Sequence, residues 1–361
     1  MARPGAGTSP ATVTDTVTDT ESIASPVIGD PGLERDIDAL LDDLGVEANR
    51  PVVREILTSA IALARDDHDR LDLKITAAAL EEMRRAFLVF KPFRDVRKVT
   101  IFGSARTRST DAMYALARDL AAGLAAQGWM VVTGAGPGIM AAGAEGSGPE
   151  MSLGVNIRLP FEQQANEYNQ DRSRLVTMKY FFTRKLMLVK ESAGFACLPG
   201  GFGTLDETLE LLTLMQTGKA EPAPVVLLDE PGGTYWLRFE QFVLDELLAH
   251  GLINPTDLDT WLRTSSVTEA CEELTGFYAN YHSLRYVGDR LVMRVQRAPD
   301  DELLARITAA ARDITTDGQV LVSEPLPPER DDHPDLPRLV LRPVPRHHGG
   351  LHRLIDLVNE A

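Results

Sequence analysis

The chain has 361 residues, of which 44% are hydrophobic, and this length suits one large α/β domain with appendages. A net charge of −16 predicts no nucleic-acid partner and no anionic membrane partner, because a strongly acidic surface repels both. Two cysteines exclude a disulfide framework, and no apolar run reaches the roughly 18 residues of a transmembrane helix. The N-terminus lacks the apolar core of a secretory signal, so we expect a cytoplasmic location.

The N-terminal part of the chain divides into two segments of different character. Residues 1–30 contain few large apolar residues and no periodicity, which is typical of a disordered tail. In residues 31–97, apolar residues recur at three- and four-residue spacings between charged ones. This pattern predicts a helical extension of two or three helices, packed on the main domain or on a neighbouring subunit.

Residues 98–283 alternate between short apolar segments and longer amphipathic ones. This alternation predicts an α/β fold with a doubly wound, Rossmann-like parallel sheet that helices cover on both faces. In such a sheet, ligands bind at the carboxyl ends of the strands. The predicted strands are 99–103, 129–133, 152–157, 174–177, 194–198 and 224–228, and the predicted helices are 111–126, one from 138, 181–191, 204–215 and 235–249.

Residues 284–361 have a third pattern, which predicts a small α+β appendage. Its length is near the lower limit for an independent core. The predicted order is a strand at 290–295, a helix at 302–314, strands at 318–322 and 339–342, and a helix at 351–358, with a proline-rich loop at 325–337.

The first glycine-rich turn, T-G-A-G-P-G-I-M over residues 133–140, follows a predicted strand. Gly134, Gly136 and Gly138 allow the backbone to approach an anion at the next helix start, or simply form a tight strand–helix joint. An NAD site would need an acidic residue about 20 positions later, but the next strand ends in N-I-R. Neither glycine turn continues into the G-K-[ST] of an ATP-binding loop.

The second turn, P-G-G-F-G-T over residues 199–204, is typical of a phosphate site. Gly200, Gly201 and Gly203 free backbone N–H groups, and Thr204 adds a hydroxyl where a helix dipole begins. Glu207 follows one turn later, where it holds ribose hydroxyls or polarises a water. Alternatively, the T-L-D-E sequence at 204–207 is a capping box that serves only the helix.

Two basic residues, Arg184 and Lys185, lie on the helix that precedes this turn. Parallel-sheet topology places Arg184 near the carboxyl ends of the strands. The alternative is a solvated charge pair on a helix surface.

Residues 199–207, P-G-G-F-G-T-L-D-E, match without departure the signature P-G-G-x-G-T-x-x-E. With Arg184-Lys185, they make the chain resemble the LONELY GUY (LOG) family of phosphoribohydrolases, which cleave cytokinin riboside 5′-monophosphates. The chain is also similar to the longer bacterial nucleotide monophosphate nucleosidases. The first turn matches the family's G-G-G-x-x-G-[LI]-M with Ala135 in place of the middle glycine, and residues 101–106 match its opening strand. The resemblance covers roughly residues 98–281.

This resemblance implies hydrolysis of the N-glycosidic bond of a nucleoside or cytokinin riboside 5′-monophosphate, without a metal or organic cofactor, by a homo-oligomer. Arg184 and Glu207 would be catalytic, with Arg184 bound either to the phosphate or to the departing base. The base preference stays open. The residues implied in phosphate or nucleotide binding are Gly200, Gly201, Gly203, Thr204, Gly103, Ser104, Gly134, Gly136 and Lys185.

Three other functions remain open at this point. The chain could be a non-catalytic nucleotide-binding regulator whose C-terminal appendage responds to the ligand. Proteins with this signature have also been labelled lysine decarboxylases, a chemistry that needs a lysine Schiff base with pyridoxal phosphate, for which only Lys185 is placed. Finally, His347, His348 and His352 have loosely metal-like spacing, although no cysteine or carboxylate completes the set.

Overall fold

The computed structural model describes residues 30–159, 165–169, 171–329, 332–345 and 348–361. The described residues form two compact units, which divide between Arg84 and Arg85. Apart from Asp30, the predicted tail at residues 1–30 lies outside the described residues.

The first unit consists of the predicted N-terminal helices, α1 (Pro31–Asp43), α2 (Arg50–Arg65) and α3 (Arg70–Phe90), the last of which continues into the second unit. The Asp30 carboxylate caps α1 by accepting a hydrogen bond from the backbone N–H of Gly32 at 2.9 Å. Ile37 and Leu41 of α1 are buried, and an ion pair of 2.7 Å joins Arg54 of α2 to Asp38 of α1. The unit is therefore a helical hairpin with a third helix.

The second unit contains a seven-stranded sheet in which every neighbouring pair is parallel, with the order β4-β3-β2-β1-β5-β6-β7. This confirms the predicted Rossmann-like sheet. The strands are β1 (Lys98–Phe102), β2 (Met130–Thr133), β3 (Ser152–Ile157), β4 (Leu175–Met178), β5 (Gly194–Cys197), β6 (Val225–Leu228) and β7 (Trp261–Thr264). The flanking helices are α4 (Ala112–Ala126), α5 (Ile139–Ser147), α6 (Phe181–Lys190), α7 (Phe202–Gln216), α8 (Tyr235–Phe242) and α9 (Val267–Gly276).

The central strands are mostly apolar because helices cover both of their faces. Every residue of β1, β2, β5 and β6 is buried, as expected for an internal parallel strand. The predicted helix at 235–249 ends at Phe242 and continues as a π-helical turn over Val243–Leu248. The sequence did not predict β7 or α9.

The strand order reverses direction between β1 and β5. From β1 the chain winds outward through β2, β3 and β4, and it then returns to place β5 on the other side of β1. At such a switch point the connections leave the two strand ends in opposite directions, and a crevice opens between them. The topology thus locates a ligand site at the carboxyl ends of β1 and β5.

The C-terminal part is a four-stranded antiparallel sheet of order β10-β11-β9-β8 with two helices, which confirms the small α+β appendage. Leu291, Ile307 and Leu354 belong to its core. The sequence missed β8, where a register shift between Tyr281 and Ser283 breaks the alternation. The elements are β8 (Tyr281–Val287), β9 (Arg290–Val295), α10 (Asp301–Ala310), β10 (Thr315–Ser323), β11 (Arg338–Pro343) and α11 (Leu351–Val358). None of the described helices has the length and apolar character needed to cross a bilayer.

Gly138 is the joint between the β2 turn and α5, and its backbone requires glycine. It has a φ of +68°, and a Cβ there would overlap the backbone carbonyl oxygen of Ser104. We therefore expect Gly138→Ala to lower the free energy of unfolding by about 3 kcal/mol, from backbone strain and overlap together. Urea denaturation measures the loss.

Gly148 is the matched control, because its φ is +74° but nothing lies within 4 Å of the position of a Cβ. Gly148→Ala should cost only the backbone strain, about 1–2 kcal/mol. Equal losses in the two variants would contradict the role assigned to the close approach of Gly138 and Ser104.

Candidate active site

A cleft with a volume of about 690 Å³ opens at the carboxyl ends of the central strands. This volume lies within the range of small-molecule sites. Its walls come from the turns after β1, β2 and β5, the end of β3, and the helices α6 and α7. The predicted site residues that line it are Gly103, Ser104, Gly134, Gly136, Arg184, Gly200, Gly201, Gly203, Thr204 and Glu207.

The turn after β5 is packed tightly at its start and open afterwards. A Cβ on Gly200 would overlap the Thr204 hydroxyl and lie 3.1 Å from the backbone nitrogen of Ser104. The Gly200 carbonyl accepts a hydrogen bond of 2.8 Å from the Tyr235 hydroxyl. At Gly201 and Gly203, by contrast, a Cβ would meet nothing within 4 Å. The first glycine therefore fixes the turn, and the other two leave its backbone accessible to a ligand.

Helix α7 begins inside this turn, with Gly201 as its N-cap. Among the described residues no side chain caps this end, so the N–H groups of the first turn can bind an anion. Because Thr204 lies within the helix, it is not an N-cap residue, and the capping-box alternative for residues 204–207 is wrong.

Arg184 is fixed within the wall of the cleft, with only 9% of its side chain exposed. Its Nε donates to the carbonyl oxygen of Val155 at 2.9 Å, and its Nη1 donates to Oε1 of Glu207 at 3.1 Å. A Cβ on Gly134 would overlap its Nη2. The alternative of a solvated surface pair is therefore wrong, since Arg184 joins β3, α7 and the β2 turn.

Burial dominates the electrostatics of the Arg184–Glu207 pair. It raises the pKa of Glu207 to about 6, against the opposing effect of the Arg184 charge. Burial also lowers the pKa of Arg184, which the charge of Glu207 opposes in turn. With a pKa of about 6, Glu207 is mostly ionised at neutral pH and is a stronger base than an ordinary carboxylate, which suits it to accept a proton from water.

Lys185 is the one predicted site residue that the structure does not bring to the cleft. Its Nζ forms ion pairs with Asp206 at 2.7 Å and with Glu210 at 2.9 Å, both on α7. Lys185 thereby holds α6 against α7 beside the Arg184–Glu207 pair.

The first glycine turn contains a strained residue in place of a glycine. Ala135 has a φ of +56°, in the left-handed region that favours glycine. Its carbonyl oxygen accepts a hydrogen bond of 2.9 Å from the backbone N–H of Asn166, and the Asn166 side chain donates to the carbonyl oxygen of Gly136 at 2.8 Å. These bonds hold the turn despite the strain.

Several lining residues were not found from the sequence. Some of them lie within the segments 101–106, 133–140 and 199–207, where they were not assigned a role in the site. The order of the strands brings others to the cleft; Tyr235, for example, follows β6, the neighbour of β5. These residues are Ile101, Phe102, Ala105, Arg106, Pro137, Met140, Asn156, Ile157, Leu159, Phe181, Phe202, Leu205 and Tyr235.

The histidine-rich segment near the C-terminus does not form a metal site within the described residues. His347 lies outside them. His348 accepts or donates a hydrogen bond of 3.0 Å with the Tyr286 hydroxyl, and the buried His352 bonds the carbonyl oxygen of Ala223 at 3.0 Å. No group of three potential metal ligands occurs in the part of the chain that the structure describes.

The sequence has relatives in several organisms. A family model described as "Possible lysine decarboxylase" matches residues 132–274. A cytokinin riboside 5′-monophosphate phosphoribohydrolase of Mycobacterium tuberculosis is 29% identical over 43% of this chain and 81% of its own length. The enzyme of that name from Mycobacterium marinum is 29% identical over 44% of this chain and 82% of its own length. LOG1 of Arabidopsis thaliana is 33% identical, and the match spans 28% of this chain and only 46% of the plant protein.

Solved structures with a similar fold include a molybdenum cofactor carrier protein and a molybdenum cofactor binding protein. The carrier protein of Chlamydomonas reinhardtii is 17% identical with a TM-score of 0.35, over 50% of this chain and 96% of its own. The molybdenum cofactor binding protein of Rippkaea orientalis is 20% identical with a TM-score of 0.36, over 49% of this chain and 94% of its own.

Replacing Arg184 by Met should make the stability of the protein depend more strongly on pH than that of the wild type. Without the guanidinium, the folded-state pKa of Glu207 must rise above about 6, further from its ordinary value of 4.5. A raised folded-state pKa favours folding below the unfolded value and disfavours it as pH rises. We therefore expect Arg184→Met to cost about 3 kcal/mol at pH 8 and much less at pH 5, as measured by urea denaturation.

The double variant Arg184→Met/Glu207→Gln is the control, because it removes the stranded carboxylate. Its stability should change less between pH 5 and pH 8 than that of the single variant, because the glutamine at position 207 does not titrate. A pH-independent loss in the single variant would contradict the burial of the pair.

Proposed function

We propose that this chain, which is similar to the phosphoribohydrolases of the LOG family, hydrolyses the N-glycosidic bond of nucleoside 5′-monophosphates. The products are a free base and ribose 5-phosphate. The observation that carries the proposal is the buried Arg184–Glu207 pair, which lies in the same cleft as the uncapped N-terminus of α7.

The dimensions of α7 support a nucleotide bound along it. The phosphate binds the backbone of Gly200, Gly201 and Gly203 and the hydroxyl of Thr204. Glu207 lies five residues beyond Phe202, the first residue of the helix, which is roughly 7.5 Å along the axis at 1.5 Å per residue. A ribose fits between the two, so its anomeric carbon lies beside the carboxylate.

The chemistry follows from the charges that develop during cleavage. As the bond between the anomeric carbon and the base nitrogen breaks, its electron pair leaves with the base, and the sugar becomes oxocarbenium-like. The Glu207 carboxylate stabilises this positive charge and takes a proton from the water that adds to the anomeric carbon. The proton taken from the water passes from Glu207 to the base nitrogen, so the base leaves in its neutral form and Glu207 is again a carboxylate.

Arg184 acts on the base side of the reaction rather than on the phosphate. Its contacts with Val155 and Gly134 lie at the ends of β3 and β2, whereas the phosphate turn follows β5, two strand positions from β2. Neighbouring strands are about 4.8 Å apart. In this position the guanidinium orients Glu207 and offsets the negative charge on the departing base.

The lining of the cleft includes the apolar side chains of Met140, Ile157, Leu159 and Phe181. Such a wall accepts the planar face of a base. The candidate substrates are a cytokinin riboside 5′-monophosphate, which the relatives' names specify, and the ordinary nucleotides AMP, GMP, CMP and UMP. Cytoplasm is the proposed location, since the described cysteines, Cys197 and Cys271, are buried free thiols.

The alternative name, lysine decarboxylase, has no support in the geometry. A Schiff base needs a lysine in the site. Among the described residues that line the cleft there is no lysine, and Lys185 is held by Asp206 and Glu210.

The wild-type protein should release free base from at least one of AMP, GMP, CMP, UMP and isopentenyladenosine monophosphate, as measured by chromatography. Glu207→Gln should lower kcat about 1,000-fold, because the amide neither accepts the proton nor carries the charge. Arg184→Ala should lower kcat at least about 100-fold. Glu210→Gln is the matched control on the same helix, and it should retain nearly full activity.

Two results would contradict this proposal. A folded protein that binds these nucleotides but releases no base would instead be a nucleotide-binding regulator. Equal activity of Glu207→Gln and Glu210→Gln would exclude Glu207 from the reaction.

A homo-oligomer is also proposed, with its interface on α6 and α7. These helices lie side by side, as the Lys185 ion pairs show, and both carry exposed apolar side chains. Contiguous exposed apolar surface is typical of an interface. The residues are Phe181, Phe182, Leu186, Phe202 and Leu209.

Sedimentation should give the wild type a mass above the 39.5 kDa of one chain. Leu209→Glu should weaken the association about 10-fold or more, because it buries an unpaired charge. Leu321→Glu, at a similarly exposed residue of β10, is the control. A wild type that sediments as a single chain would refute the oligomer.

A further inference from the structure

The loop after β1 brings a second arginine to the cleft. Arg106 lines the cleft, and its side chain is exposed. The loop touches the phosphate turn directly, since the backbone N–H of Ser104 donates to the carbonyl oxygen of Pro199 at 3.2 Å. Arg106 thus stands two residues from the point where the β1 loop and the β5 turn meet.

The backbone holds Arg106 in this position. Its N–H donates to Oγ of Ser104 at 3.0 Å, and the carbonyl oxygen of Ser104 accepts a hydrogen bond of 3.0 Å from Ile139 at the start of α5. The loop is therefore tied both to the turn after β5 and to the turn after β2. These contacts fix the backbone of the loop beside the cleft that Arg106 lines.

The guanidinium of Arg106 has no carboxylate partner among the described residues. Across the described ranges, no carboxylate forms an ion pair with it, and the nearby Asp111 accepts a hydrogen bond from the backbone of Arg108 instead. The other arginine of the cleft, Arg184, is already balanced by Glu207. A phosphate dianion that enters the cleft therefore finds one guanidinium whose donors and charge are both uncommitted.

We propose that Arg106 recognises the 5′-phosphate of the substrate and makes the protein select nucleotides over nucleosides. This inference rests on the proposed function, in that it takes the ligand to be a nucleoside monophosphate. A guanidinium presents two parallel donors to phosphate oxygens, which gives both geometric selectivity and charge. The N-terminus of α7 binds the phosphate through backbone N–H groups, and Arg106 supplies the full positive charge that those groups lack.

The test is calorimetric binding of AMP and adenosine in a Glu207→Gln background, which prevents turnover. Adding Arg106→Ala should weaken AMP binding about 10- to 100-fold, the range for hydrogen bonds to a charged group, and leave adenosine binding unchanged. Arg106→Lys keeps the positive charge but not the two parallel donors of the guanidinium, so its affinity for AMP should lie between those of the parent and of Arg106→Ala. Arg108→Ala, at an exposed arginine of the same loop, should bind AMP as tightly as the parent.

A second measurement separates this inference from the hydrolase proposal. Ribose 5-phosphate has no glycosidic bond to a base, so its binding to the otherwise wild-type protein needs no assumption about activity. Arg106→Ala should weaken it by the same factor, whether or not the protein hydrolyses nucleotides. Unchanged binding of AMP and ribose 5-phosphate would overturn the inference, and so would an equal loss of AMP and adenosine, which would indicate a structural role.

Discussion

The contact between Arg184 and Glu207 is the interaction on which the rest of the cleft depends. An ionised pair with side chains only 9% and 13% exposed persists only when further bonds satisfy it. The carbonyl of Val155 supplies one such bond, and the lack of a side chain at Gly134 supplies the space. Segments that are distant along the chain are therefore parts of one electrostatic unit.

The fold class could be predicted from the sequence because internal parallel strands are covered on both faces and are therefore mostly apolar. Every residue of β1, β2, β5 and β6 is buried. The strands that were not predicted from the sequence were missed for physical reasons. Strand β7 is an edge strand with three of its four residues only partly buried or exposed, so it lacks the apolar signal. Strand β8 lost its alternation to a register shift.

The candidate site was partly predictable for a related reason. Glycine turns and an uninterrupted signature are local patterns, and they marked the residues that bend around the cleft. Lys185 shows the limit of such patterns, because its neighbour in sequence faces the cleft while its own ammonium binds Asp206 and Glu210. Tyr235 carries no local pattern, since the order of strands brings it to the phosphate turn. Arg106 ends the matched segment 101–106, but nothing in that pattern marked it as a residue of the site.

The two adjacent positions 134 and 135 differ in the side chains that they can accommodate. Ala135 has a methyl group where the family motif has glycine, and the turn holds it in a left-handed conformation. At Gly134 the same methyl group would occupy the space of the Arg184 guanidinium. Lineages can therefore drift at position 135 while keeping the fold of this cleft, whereas any descendant that gains a side chain at position 134 must relinquish the arginine as well.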